Sequence, residues 1–134
     1  MLQRIDYVSL PVEDLTASVR FFREVLGLPL LFDVPGRWAA FNVGGIEVAL
    51  YPREPDEGRG GDLAFAVRDL AAAMERLTAV GVVFPHGVEA FDLPSGRGRL
   101  ARFYDPSGNR LELVERGDAR VRAQRSPSWA PLSI

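Results

Sequence analysis

Tyr7-Val8-Ser9-Leu10-Pro11-Val12-Glu13-Asp14-Leu15 returns in the second half of the chain as Asp62-Leu63-Ala64-Phe65-Ala66-Val67-Arg68-Asp69-Leu70. Each stretch is a short apolar strand followed by an aspartate in capping position and the start of a helix. Asp14 and Asp69 can accept from the free backbone N–H groups of a first helical turn. Leu15, Val19 and Phe22 answer to Leu70, Met74 and Leu77, an i, i+4, i+7 stripe that gives each helix one apolar side. Gly27 and Gly81 are suited to the left-handed residue that ends a helix.

Further on, Phe41-Asn42-Val43-Gly44-Gly45-Ile46-Glu47-Val48-Ala49-Leu50 is echoed by Tyr104-Asp105-Pro106-Ser107-Gly108-Asn109-Arg110-Leu111-Glu112-Leu113. In both copies a strand enters a glycine-bearing turn and a second strand leaves it. The second copy is longer, and its extra length is read as a loop over Pro94-Ser95-Gly96-Arg97-Gly98. Each half is one βαβββ unit that cannot bury its sheet alone, so the repeat predicts two packed modules. The expected limits are residues 1–116 for a single domain, with module one about 1–56, module two about 60–116 and a tail over 117–134.

Composition narrows the function. The chain has 134 residues, a net charge of −2, and 47% hydrophobic and 25% charged residues, as in ordinary globular proteins. A charge of −2 does not suit a phosphate backbone, so nucleic acid is not an expected partner. All basic residues are arginine, which removes Schiff-base chemistry on lysine. There is no cysteine, so thiolate nucleophiles and zinc–thiolate sites are absent from the chain. No apolar run approaches the ~20 residues that cross a bilayer. A cytoplasmic protein without a membrane partner is the expectation. In the arginine-, serine- and proline-rich tail, Trp129, Leu132 and Ile134 are the only anchor-like residues. It is read either as a frayed end or as an arm that docks on its own chain or on a partner subunit.

Strand alternation sorts the remaining side chains. Val8, Leu10 and Val12 should face the first helix, with Tyr7, Ser9 and Pro11 opposite. Ile46, Val48 and Leu50 leave Glu47, Ala49 and Tyr51. Leu63, Phe65 and Val67 leave Asp62, Ala64 and Ala66, and Leu111 and Leu113 leave Arg110, Glu112 and Val114. This second face mixes carboxylates, tyrosines and small residues, as a ligand cleft does. A solvated sheet face has the same composition.

The paired units resemble the vicinal oxygen chelate superfamily, which includes glyoxalase I, extradiol dioxygenases, and the bleomycin and fosfomycin resistance proteins. The residues carrying the resemblance are Pro11-Val12-Glu13-Asp14-Leu15, Phe21-Phe22-Arg23-Glu24-Val25-Leu26-Gly27-Leu28 and Phe103 to Leu113, with the Asp105-Pro106-Ser107-Gly108-Asn109 turn the most specific. The resemblance implies an α+β fold in which two tandem βαβββ modules form a curved, cup-shaped, eight-stranded mixed sheet with helices outside. It implies a homodimer and a small-molecule ligand. In metal-using members four cup-facing positions supply the ligands, and by motif these fall on Tyr7, Ala49 (with Glu47 one cup-facing step away), Asp62 and Glu112. The first and third are commonly histidine in those enzymes and are Tyr7 and Asp62 here. The lone histidine, His86, sits between Pro85 and Gly87 and cannot make a two-histidine iron site.

Three readings of Asp62 and Glu112 stay open. They hold a hard cation such as Mg²⁺, Mn²⁺ or Ca²⁺, with Glu47 as a third ligand. They form a metal-free acid/base pair. Or they are polar positions paired with Arg102 or Arg110 that do no chemistry. Tyr7, Phe41, Tyr51 and Tyr104 are expected to give the cup aromatic walls. Arg97, Arg99 and Arg102 are read as a cluster that meets an anionic group or forms a solvated rim. Together these residues favour a binding protein without a metal or other cofactor. The alternatives are a divalent-metal lyase, isomerase or dioxygenase-like enzyme using Asp62 and Glu112, and a non-catalytic structural or regulatory dimer.

Overall fold

The computed structural model describes residues 1–117, so the expectations for the tail anchors Trp129, Leu132 and Ile134 lie outside the described residues. Element order follows the repeat: β1 (Tyr7–Val12), α1 (Leu15–Arg20) running into a π-helical turn (Phe21–Val25), β2 (Leu30–Val34), β3 (Trp38–Val43) and β4 (Ile46–Pro52). The second copy gives β5 (Leu63–Ala66), α2 (Leu70–Ala79), β6 (Val88–Leu93), β7 (Gly96–Tyr104) and β8 (Arg110–Arg116). This is the α+β fold expected of tandem βαβββ modules. The eight strands form two four-stranded sheets, ordered β1-β4-β3-β2 and β5-β8-β7-β6. In the first, β1 runs parallel to β4 while β3 is antiparallel to both its neighbours.

Both helices begin as the sequence dictates. Asp14 Oδ1 accepts from the Ala17 N–H at 3.1 Å, and Asp69 Oδ1 accepts from the Ala72 N–H at 3.0 Å. Gly27 and Gly81 end them at φ of 70° and 100°. After Arg20 the spacing loosens: the Leu26 N–H donates to the Phe21 carbonyl at 3.0 Å, a five-residue step that keeps Phe22 fully buried.

The chain gathers into two compact units. The first holds Ile5–Leu63 together with Tyr104–Leu111. Its core is Leu10, Val12, Leu15, Phe22, Ala39, Phe41, Val48 and Leu50, all less than 9% exposed. The Asp105–Asn109 turn, read from sequence as part of the second repeat, packs within this unit and does so through buried amides. Asn109 Nδ2 donates to the Pro11 carbonyl at 2.8 Å and to Asp105 Oδ2 at 2.9 Å. Its Oδ1 accepts from the Gly60 N–H at 2.7 Å. Gly60 passes so close that a Cβ there would lie 2.7 Å from Pro11 Cδ. The Glu13 N–H donates to Ser107 Oγ at 2.8 Å, and Arg53 Nη2 donates to the Ser107 carbonyl at 2.8 Å. Every hydrogen-bonding atom of the fully buried Asn109 side chain is thereby used, as its burial requires.

The second unit holds Met1–Arg4, Ala64–Phe103 and the residues from Glu112 on. Leu70, Val82, Ala101, Phe103 and Leu113 are its buried apolar residues. Here one expectation is corrected. Gly96, Arg97 and Gly98 are not loop residues but the first three of β7, which pairs with β6 from Leu93↔Gly96 to Val88↔Ala101. Only Pro94 and Ser95 remain as the turn of a two-residue hairpin. The extra length of the second copy therefore extends a strand. Gly98 is needed there because a Cβ would meet the Glu115 carbonyl oxygen at 2.1 Å.

Candidate functional site

Register fixes which side chains share a face of the first sheet. Tyr7 lies beside Glu47, Ser9 beside Ala49 and Pro11 beside Tyr51 on the parallel pair. Across the antiparallel pair, Asn42 lies beside Glu47 and Ala40 beside Ala49. Alternation along β3 puts Trp38 on this same face and sends Ala39 and Phe41 to the other. Tyr7, Glu47, Ala49 and Tyr51 thus share the face that strand alternation assigned them.

Three rings on that face form one group. Tyr7 meets Trp38 edge-on, with centroids 5.5 Å apart and planes at 84°. Trp38 stacks with Tyr51 at 6.3 Å and 20°. The edge-on pair sets a positive ring edge against a negative face, as the ring quadrupole favours. Tyr7 is 47% exposed and Trp38 and Tyr51 are half-buried, so the group presents ring surface. Ala40 and Ala49, fully buried, are the small residues of the same face.

The hydroxyl of Tyr51 donates to Glu57 Oε2 at 2.6 Å. That bond, together with burial and the nearby charges of Glu57 and Glu54, pushes the phenol's pKa up. The same bond, with the Glu54 N–H and Arg53, holds the Glu57 carboxyl below its usual range. The phenol therefore stays protonated and oriented.

Phe41 does not belong to this group. It is fully buried on the helix side, 5.7 Å from Phe22, because its in-register neighbour Val48 faces the helix. Tyr104 is 44% exposed at the end of β7 and makes no ring contact among the described residues. Sequence reasoning missed Trp38. The alternation Trp38-Ala39-Ala40-Phe41-Asn42 carried the signal, since placing Phe41 against the helix puts Trp38 on the open face.

The two carboxylates singled out from sequence each hold a guanidinium. Asp62, in the first unit, is hydrogen-bonded by Arg110 Nη2 and has Arg59 Nη1 at 3.7 Å. The Arg110 bond, aided by the charges of both arginines, holds the Asp62 carboxyl below the ordinary range. Glu112, in the second unit, accepts from Arg102 Nε at 2.9 Å, with its side chain 15% exposed. Arg102 also reaches Glu89 Oε2 at 3.6 Å, so one guanidinium lies between two carboxylates. His86 is exposed in a turn.

Arg97, Arg99 and Arg102 are not one cluster. Arg97 and Arg99 alternate onto one side of β7 and Arg102 onto the other. Arg99 Nη2 binds Glu115 Oε1 at 2.8 Å, while Glu115 Oε2 accepts from the Leu70 N–H at 2.7 Å and caps α2. These two bonds hold the Glu115 carboxyl below its usual range. An open groove of about 670 Å³ in the second unit is lined by Arg97, Arg99, Asp92, Phe91, Gly98 and Glu115, with Ala90 and Gly117. It contains none of the expected ligand-binding residues, and Arg99 and Glu115 spend their charges on each other. The aromatic face of the first unit is the better organised site.

A strand-helix-three-strand repeat closed by an Asp-Pro-Ser-Gly-Asn turn defines a class of protein, and comparison with known families agrees. The model of the Glyoxalase/Bleomycin resistance protein/Dioxygenase superfamily matches residues 4–113, and the chain belongs to that family. It is 32% identical over 144 residues to glutathione transferase FosA of Serratia marcescens, covering 98% of this chain and 95% of the relative. Among solved structures it is similar to TnmS3, an antibiotic binding protein from Streptomyces sp. CB03234. That match has 28% identity and a TM-score of 0.71, covering 87% of this chain and 98% of the other. A variant of the fosfomycin resistance protein FosX from Listeria monocytogenes was solved with Mn(II) and 1S,2S-dihydroxypropylphosphonic acid. It matches with a TM-score of 0.69 over 93% of this chain and 98% of its own. At 21% identity that likeness is one of fold. Among the described residues no helix is long and apolar enough to cross a membrane.

Proposed function

We propose that this family member binds a small, planar organic molecule on the aromatic face of its first sheet, without using a metal ion. The observation that carries the reading is the Tyr7–Trp38–Tyr51 group on one sheet face, with ring surface exposed and small alanines beside it. Flat rings held by one another supply contact area at little cost in side-chain ordering. Glu47 remains a proposed polar position on that face, above the floor that fully buried Ala49 helps to form; Asp62 and Tyr104 lie outside the first sheet, and Arg102 and Glu112 belong to the second unit. Phe41 is left out because it lies in the helix-side core. The antibiotic-binding neighbour is consistent with a binding role.

The donor set argues against a divalent ion. Of the four positions that the family resemblance indicates, Ala49 offers no donor atom, and Tyr7 would ligate only as a phenolate. Asp62 and Glu112 are already engaged by Arg110 and Arg102, so a metal ion would have to compete with a guanidinium at each. A homodimer is part of the proposal. It draws support from edge strand β2, where Leu31, Phe32 and Val34 are 44–51% exposed.

The reading is tested by thermal unfolding against a panel of planar heteroaromatics, with and without chelator, on the native chain and Trp38→Ala. A true ligand at 100 times its dissociation constant stabilises by about 2.7 kcal/mol. The expected result is stabilisation that ignores chelator and disappears in Trp38→Ala. Stabilisation that appears only with added Mn²⁺ and vanishes in Glu112→Ala would replace this reading with the metal-dependent enzyme.

A further inference from the structure

We infer that the ligand taken by the aromatic face is an organic cation, a planar body bearing a protonated or quaternary nitrogen, whose charge is met by Glu47. The inference rests on the binding role proposed for that face and adds the chemical class of the ligand.

Glu47 is the informative residue. It stands near the start of β4, a strand flanked by β1 and β3, in register with Tyr7 on one side and Asn42 on the other. It is half-buried, yet its side chain makes no hydrogen bond or ion pair among the described residues. The carboxylates at Asp62, Glu112, Glu115 and Glu13 each hold an arginine, in a chain whose basic residues are all arginine. The Glu47 carboxylate reaches solvent without a counter-ion from the described residues, and a cation bound on this face would supply one.

The rings point the same way. An aromatic face attracts a cation through its quadrupole, most strongly for tryptophan and next for tyrosine. Trp38 and Tyr51 lie near-parallel, Tyr7 stands nearly perpendicular to Trp38, and Tyr7 is 47% exposed, so the group presents ring surface to a ligand. The Tyr51 hydroxyl donates to Glu57, which pushes electron density into the phenol ring and strengthens its hold on a positive charge. An anionic ligand would meet Glu47 and Glu57 unfavourably. A neutral one would leave Glu47 without a counter-ion.

The test compares two probes of nearly equal shape, N-methylquinolinium, a permanent cation, and quinoline, neutral at pH 8. Each is titrated calorimetrically into the native chain, Glu47→Gln and Trp38→Ala, with circular dichroism to check folding. The expected result is at least tenfold tighter binding of N-methylquinolinium. Glu47→Gln should abolish that preference while quinoline still binds. Equal binding of both probes, or a preference that survives Glu47→Gln, would overturn the inference and leave the aromatic site standing. Failure of both probes to bind, or binding indifferent to Trp38→Ala, would overturn the site itself and the inference with it.

Discussion

Phe41 and Tyr7 carry aromatic rings on opposite faces of one sheet, and truncating each separates core from site. Phe41 is fully enclosed against Phe22, so Phe41→Ala removes buried area and opens a cavity, a loss of about 3–5 kcal/mol. Tyr7 is 47% exposed, and Tyr7→Ala should cost less than about 1 kcal/mol. Urea titration of both variants checks the contrast; equal losses would mean the faces are wrongly assigned. The same scale sets the acid limit of stability. Asp62, Glu57 and Glu115 are each more acidic in the folded chain than in the unfolded one, chiefly through hydrogen bonds from Arg110, Tyr51 and the Leu70 N–H. The folded chain therefore binds fewer protons at low pH. Their contribution is present above the ordinary carboxylate values of 3.8 and 4.5 and is lost as pH falls through the lower folded values. Urea midpoints measured from pH 6 down to pH 3 should fall steadily, and Asp62→Asn should flatten part of that fall. Side-chain pairing of this kind was only half legible in sequence. Alternation put Asp62 and Glu112 on the mixed face, but choosing between a cation site and an arginine pair required distances.

At the scale of elements, the repeat was readable because each βαβββ unit uses the same devices: alternating strand, aspartate cap, apolar helix stripe and glycine stop. Those are local choices of residue type, and local chemistry decides them. Register across strands is not local. For that reason the sequence placed Phe41 on the open face, overlooked Trp38, and treated Gly96, Arg97 and Gly98 as a loop. Two glycines in a five-residue stretch suggest a turn, yet Gly98 serves close approach of two strands. Gly98→Ala forces its Cβ toward the Glu115 carbonyl, 2.1 Å away, and should cost at least about 1–3 kcal/mol by overpacking. Gly58→Ala is the matched control, since nothing lies within 4 Å of its Cβ. Thermal melts should show a loss of several degrees for the first and almost none for the second. Similar melting points would show that β7 and β8 do not approach as described.

For the whole molecule, membership of the glyoxalase, bleomycin resistance and dioxygenase superfamily says what kind of scaffold the chain builds and leaves the chemistry to its side chains. Those side chains place arginines on Asp62 and Glu112 and three rings on one face of the first sheet, the face proposed to bind flat molecules. The central claim is metal-independent binding on that face. Its most direct test is a calorimetric titration of metal-stripped protein, in chelator, with N-methylquinolinium, repeated on Trp38→Ala. The account predicts saturable binding at one site per chain, unchanged by chelator and lost in Trp38→Ala. Binding that appears only after Mn²⁺ is restored, or that persists without Trp38, would contradict it.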